Sequence, residues 1–66
     1  MKCIAVYECS SGIQRAVRED GATFSRYRRG ALWTPWLYSA DWTRRDIEAN
    51  IDYHPITPTP HARLPK

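Results

Sequence analysis

The sequence predicts a small α+β protein: a four-stranded antiparallel β-meander, one α-helix packed on one face, and an extended Pro-rich C-terminal tail. Three observations carry this reading. The only glycines, Gly12, Gly21 and Gly30, fall nine residues apart. Glycine accepts positive φ without steric cost, so each marks a hairpin turn, and strand-like residues fill the intervals. Beyond them, Ser39-Ala40-Asp41-Trp42 opens a stretch with helical spacing, and four of the five prolines follow His54.

Residues 2–8, 13–19, 22–28 and 31–36 read as the four strands. Two-residue loops at Ser11-Gly12, Asp20-Gly21 and Arg29-Gly30 set the register, Asp-Gly being the strongest type I′ signal of the three. Val6 then faces Val17, Val17 faces Phe24, and Phe24 faces Pro35. The next row on that face is Glu8, Arg15, Arg26 and Trp33. It offers a favourable Glu8–Arg15 pair, an Arg26–Trp33 cation–π contact and an unfavourable Arg15–Arg26 juxtaposition. The opposite face carries Cys3, Ala5, Tyr7, Ala16, Tyr27, Leu32 and Trp36. Pro35 cannot donate to a ladder, which makes strand four an edge.

The helix is expected over about 41–50, with Ser39 or Asp41 as N-cap and Asn50 as a left-handed C-cap. Thr43, Ile47 and Ile51 share a stripe at four-residue spacing. His54-Pro55 forbids further helix, and Ile51 to Ile56 either adds a short last strand or packs. The domain so defined is 1–56. Residues 57–66 form a flexible, polyproline-like tail, since Leu64 is nearly its only apolar anchor. Truncation after Ile56 should therefore leave the thermal midpoint within a few degrees.

At 66 residues the chain is one domain with a small core, and its aromatics must supply much of the buried area. Self-association into a homodimer is one way to staple so small a core. Cys3 and Cys9 lie on one strand about 20 Å apart, too far for an intrachain disulfide. Reduced thiols, the lack of a leader-like run and of any membrane-spanning stretch point to the cytoplasm and away from membranes.

The net charge of +3 suits an anionic partner without identifying one. The basic cluster is Arg15, Arg18, Arg26, Arg28 and Arg29, with Tyr27 among them. Alternation puts Arg15, Arg26 and Arg28 on one face, Arg18 and Tyr27 on the other, and Arg29 in a turn. Arginines and aromatics on a sheet can hold phosphates and stack bases, or simply cover apolar surface with their stems. Trp33, Trp36 and Trp42 are either interface anchors or core. Trp33 and Trp36 have opposite parity and so point to opposite faces.

No catalytic constellation, phosphate loop or metal-ligand spacing is evident. His54 and His61 lie near or in the tail. The helical carboxylates alternate with Arg44 and Arg45 as on a solvated face. Cys9 has no evident activating neighbour. The reading is a non-enzyme with no cofactor and no metal.

One local resemblance exists. Pro35-Trp36-Leu37-Tyr38-Ser39 followed by Asp46-Ile47-Glu48-Ala49 resembles the tail of small phage-encoded accessory proteins, among them inhibitors of Thoeris defence that sequester a nucleotide signal. Asn50-Ile51 stands where that pattern has Asp-Trp, and the gap from Ser39 to Asp46 is longer. The resemblance implies a phage-type or mobile-element accessory role and transfers no ligand residue.

The function expected first is a non-catalytic binding protein that modulates or inhibits a host protein. It would act through an uncovered sheet face with Tyr7, Arg15, Arg18, Arg26, Tyr27, Arg28, Arg29, Trp33 and Trp36 as interface candidates. The alternatives are nucleic-acid binding through the hairpin arginines, and sequestration of a nucleotide beside the helix N-terminus.

Overall fold

Seven short strands and one helix follow in chain order: β1 Cys3–Glu8, β2 Gln14–Arg18, β3 Thr23–Arg26, β4 Arg28–Arg29, β5 Leu32–Trp33, β6 Leu37–Tyr38, α1 Arg44–Ala49 and β7 His54–Pro55. The computed structural model of the protein describes residues 1–65; Lys66, the last residue of the predicted tail, lies outside them. Five strands form one antiparallel sheet in the order β6-β3-β2-β1-β7, and β4 pairs only with β5. The chain is thus a small α+β fold of mostly antiparallel strands with one short helix. The four-stranded meander is replaced by a five-stranded sheet plus a separate hairpin.

The turns explain the difference. Cys9 N–H donates to the Ile13 carbonyl and Gly12 N–H to the Cys9 carbonyl, at 3.1 and 3.0 Å. The same pattern links Arg18, Ala22 and Gly21, both bonds at 2.8 Å. Each loop therefore has three residues, Ser10–Gly12 and Glu19–Gly21, with glycine last at φ 85° and 92°. A type I turn followed by a left-handed residue builds this loop. The extra residue slips each register by one, and a one-residue slip inverts a strand. Val6 opposes Ala16 rather than Val17, and Ala16 rather than Val17 opposes Phe24. The two slips cancel between β1 and β3, so only β2 is turned over. The slip also moves Arg15 away from Arg26 to face Ser25, and Glu8 pairs with Gln14 instead of Arg15.

The ladder beyond β3 departs further. Arg28 pairs with Trp33 and Arg29 with Leu32, leaving Gly30-Ala31 as the loop. Gly30 has φ 61° and Ala31 is not left-handed, as a type II′ turn requires. Pro35 lacks an N–H, and the ladder breaks there. Pairing resumes with Ser25 opposite Leu37 and Phe24 opposite Tyr38, so the outer edge is β6 and not a strand over 31–36. On the far side β7 pairs with β1 through Tyr7–Pro55 and Glu8–His54.

Helix α1 is shorter than expected and starts later. Ser39 is committed to the sheet edge: its N–H donates to the Thr23 carbonyl, and its own carbonyl accepts from Thr23 Oγ1 and Trp42 N–H. Thr43 is the N-cap instead, in a reciprocal capping box with Asp46. Asn50 ends the helix in an extended conformation, φ −86° and ψ 114°, not a left-handed one. Its Oδ1 accepts from Asp52 N–H, closing a side-chain turn in place of the glycine-type cap.

Both sheet faces are buried at the centre. On the helix side Ala5, Tyr7 and Val17 pack with Ile47, which is 0% exposed, and Trp42 and Tyr53 lean against them. Burying an isoleucine in this way contributes about 1.5–3 kcal/mol. Ile51, on the same predicted stripe, is 93% exposed. On the other side Val6, Ala16 and Phe24 are also closed off, although no helix covers them. The C-terminal segment runs along that side. Arg18, stacked over Phe24, donates to the Pro65 carbonyl, and Ala62 and Leu64 are half-buried. Both cysteines are free thiols.

Candidate functional site

Tryptophans and arginines converge at the limb that leaves the sheet after β3. Extending the Ser25–Leu37 register by one residue sets Trp36 opposite Arg26, while Trp33 is opposite Arg28. One more residue lies between the two rungs on the tryptophan strand than on the arginine strand. The extra residue, at Pro35, cancels the parity difference between Trp33 and Trp36. Both indoles therefore stand on the same face as Arg26 and Arg28, not on opposite faces. The Arg26 Cζ lies 4.5 Å from the ring centre of Trp33 and 4.5 Å from that of Trp36, and Arg28 Cζ is 5.1 Å from Trp33. The Arg26–Trp33 contact read from sequence is present, with Trp36 added to it.

A polar relay fixes Arg26 from behind. Its Nε donates to Gln14 Oε1 at 2.8 Å, and Gln14 Nε2 donates to Glu8 Oε1 at 2.8 Å. Gln14 is buried, so this relay also satisfies an amide cut off from water. Burial pulls the Arg26 pKa below the usual arginine value, with the Glu8 charge opposing that shift, yet arginine stays charged throughout the accessible pH range. The guanidinium is held between aromatic faces, each such contact being worth about 0.5–2 kcal/mol.

Outward of this braced base, the tip of the hairpin is exposed. Tyr27 is 43% and Leu32 75% exposed, and Arg28 and Arg29 are exposed as well. Arg29 lies within β4 opposite Leu32, not in the turn. Tyr27 and Thr34 close the hairpin through the Thr34 N–H to Tyr27 carbonyl bond at 2.9 Å and the Tyr27 N–H to Thr34 Oγ1 bond at 3.1 Å.

The remaining interface candidates belong to the body of the fold. Tyr7 is a core residue at 5% exposure, with its hydroxyl donating to Glu48 Oε2 at 2.7 Å. Arg15 lies on the helix side, 3.9 Å above the Trp42 ring, and its Nε donates to Tyr53 Oη at 2.8 Å. Arg18 shares the face of Arg26 and is paired with Asp20 at 2.8 Å. The faces are therefore Arg18, Arg26 and Arg28 on one side and Arg15 on the other. The inversion of β2 accounts for the exchange of Arg15 and Arg18. Leu32 as a tip residue and Leu37 on the edge strand escape the sequence-based set of candidates; the apolar positions flanking Trp33 and Trp36 are the signal that points to them.

Two other places could carry chemistry. A hollow beside α1 is lined by Asp41, Trp42, Asp46, Ala49 and Asn50. Its two carboxylates repel a phosphate, and a helix of so few turns offers little dipole. At Cys9, burial pushes the thiol up, but the Ser11 hydroxyl at 3.0 Å and the Ile13 and Ser11 backbone bring it below its ordinary value. Cys9 is nonetheless closed off from solvent at 7% exposure. Among the described residues no group of three or more His, Cys, Asp or Glu is placed to hold a metal, and no helix is long and apolar enough to cross a membrane.

Comparison with family models, with curated proteins and with solved structures found no match.

Proposed function

We propose that this chain is a non-catalytic binding protein that docks a protein partner through the β4–β5 hairpin, using Leu32, Tyr27, Arg28 and Arg29. A host protein modulated by a phage-type accessory factor is the setting this suits best. The observation that supports it is the hairpin itself. It pairs with nothing but its own two strands, exposes Leu32 at its tip, and stands on a stacked Arg26–Trp33–Trp36 base. An element outside the main sheet that is braced at its root is a pre-organised projection, and pre-organisation lowers the ordering entropy lost on binding. Arginine and aromatic residues carry most hot-spot energy, and exposed apolar side chains ringed by charge suit a partner pocket with an acidic rim.

Capture of partners from a host lysate by the wild-type chain and by an Arg29→Ala/Leu32→Ala variant tests this reading. A stoichiometric partner that the variant fails to capture is the expected result. Equal capture by a folded variant would contradict it.

Nucleic-acid binding is the second reading, favoured by a hollow lined by Arg26 and Arg63, with Arg28 stacked on Trp33 at its wall and no Asp or Glu among the described lining residues. Anisotropy titrations with single-stranded and duplex oligonucleotides at about 50 mM salt decide it, because phosphate contacts give a salt slope of about −0.9 per neutralised phosphate on duplex DNA. No binding at that salt removes it.

A further inference from the structure

Below the hairpin tip lies an open hollow of about 760 Å³. Arg26, Trp33 and Trp36 form its wall on the sheet limb, and Arg63, Leu64 and Pro65 form the wall on the C-terminal segment. Arg28 adds a further cation beside it, 5.1 Å from the Trp33 ring centre. No Asp or Glu is among the described lining residues. Among the described residues Arg28 and Arg63 make no ion pair, and both are exposed. A concave site lined by charge of one sign concentrates the opposite sign, so the hollow attracts anions.

The two indoles narrow the class of anion. Both are half-buried, which fixes their rings. Trp33 carries two cations, Arg26 and Arg28, whereas among the described residues the one cation over Trp36 is Arg26, at 4.5 Å. An indole has two faces, so one face of Trp36 holds no guanidinium. The Glu8–Gln14 relay grips the Arg26 Nε and makes Arg26 a positioning residue for that ring. A ligand that uses the whole hollow therefore brings both negative charge and a flat aromatic group. Unpaired nucleotides bring both, with bases that stack on aromatic side chains and phosphates that pair with arginine. A duplex keeps its bases stacked on one another and offers the hollow little beyond phosphate.

We propose that the Trp33–Trp36 hollow is a site for single-stranded nucleic acid, in which a base stacks on Trp36 and the adjoining phosphates pair with Arg28 and Arg63. This rests on the nucleic-acid reading above, and it is separate from docking of a protein through Arg29 and Leu32. Every base has a π-face, so the site tolerates any sequence but discriminates unpaired strands from duplex.

The test uses the full-length chain with four probes: an octathymidylate, an abasic strand of equal length, a hairpin duplex and thymidine monophosphate. Anisotropy and tryptophan fluorescence follow binding from about 50 mM salt upward. The expected result is saturable binding of the octathymidylate with quenching of the tryptophans, about tenfold or more tighter than for the abasic strand or the duplex. Its affinity should fall with salt on a logarithmic slope of about −1.4, that is about −0.7 for each of two phosphates on a single strand. Trp36→Leu should weaken the octathymidylate by about tenfold and leave the abasic strand unchanged. Arg28→Ala, at an exposed position, reads the same site without altering the rings and should reduce the slope by about 0.7. Equal binding of the abasic strand would show a general polyanion surface and overturn the proposal. So would thymidine monophosphate binding as tightly as the octamer, which would mean a small-molecule pocket, or an unchanged slope in Arg28→Ala. Duplex bound as tightly as single strand rejects the hollow and keeps the nucleic-acid reading. No binding of any probe at about 50 mM salt rejects both.

Discussion

Tyr7 ties strand β1 to helix α1. Its ring is in the core and its hydroxyl donates to Glu48 Oε2 at 2.7 Å. That bond lowers the Glu48 carboxyl below its ordinary range, while burial, followed by the Glu48 bond, raises the Tyr7 phenol. Tyr7→Phe keeps the packing and removes the bond, so it should cost about 1 kcal/mol. Thermal unfolding should show a loss of roughly 4–8 °C. An unchanged midpoint would mean the bond contributes nothing. The sequence places Tyr7 among interface candidates because alternation alone cannot tell which face a single helix covers.

Asp20 and Asp46 make a pH prediction at the same scale. The Arg18 guanidinium holds the Asp20 carboxyl down to about 2, and the Thr43 backbone and hydroxyl lower Asp46. A carboxylate depressed in the folded state contributes stability above its unfolded value, and that contribution is lost as pH falls through the folded value. Stability should therefore decline from about pH 4 towards about pH 2. In Asp20→Asn the decline should be shallower, which a series of thermal scans against pH will show. Parallel profiles for both chains would mean that the Arg18–Asp20 pair is too exposed to matter, as many surface pairs are.

At the scale of elements, turn positions were legible and turn lengths were not. A glycine closes a two-residue loop in its second position or a three-residue loop in its third, and the Ser-Ser-Gly and Glu-Asp-Gly triplets satisfy both. Only the packing decides. The three-residue choice buries Ala16 beside Val6 and Phe24, and separates Arg15 from Arg26. Gly21 tests the geometry directly. Its φ is 92°, and the space that a Cβ would enter is open, so Gly21→Ala carries only backbone strain, about 1–2 kcal/mol. A midpoint unchanged by Gly21→Ala would argue against a left-handed residue in that loop.

The helix shows the same limit. Thr43-x-x-Asp46 is a capping box in plain sight, but Ser39 and Asp41 compete for the role in sequence, and Ser39 loses it because it is bonded into the sheet edge. Thr43→Ala should destabilise by about 1 kcal/mol, with a matching fall in the thermal midpoint. The tryptophan pair misleads for a related reason. Pro35 interrupts the ladder, and an interruption of one residue restores the parity that counting along a regular strand denies.

On the scale of the whole molecule, the class was legible: small, α+β, antiparallel, with an edge near the Pro35 segment. What composition could not show is how the second sheet face is closed. Val6, Ala16 and Phe24 are buried there without a helix, and the C-terminal segment lies along that side. From composition, truncation after Ile56 changes the midpoint by only a few degrees. The positions of Leu64 and Pro65 argue for a larger loss, about 1 kcal/mol or more, since half-buried leucine is removed with its neighbours. Paired unfolding curves of the full and shortened chains settle which holds.

Docking of a partner through the β4–β5 hairpin, with the rest of the chain as its support, is the central proposal. Measuring partner capture and thermal midpoint together, for the wild type and for Arg29→Ala/Leu32→Ala, tests it most directly. Both side chains are exposed, so a midpoint within a few degrees of wild type and a partner no longer captured are the predicted results. Undiminished capture by a variant with an unchanged midpoint would contradict it.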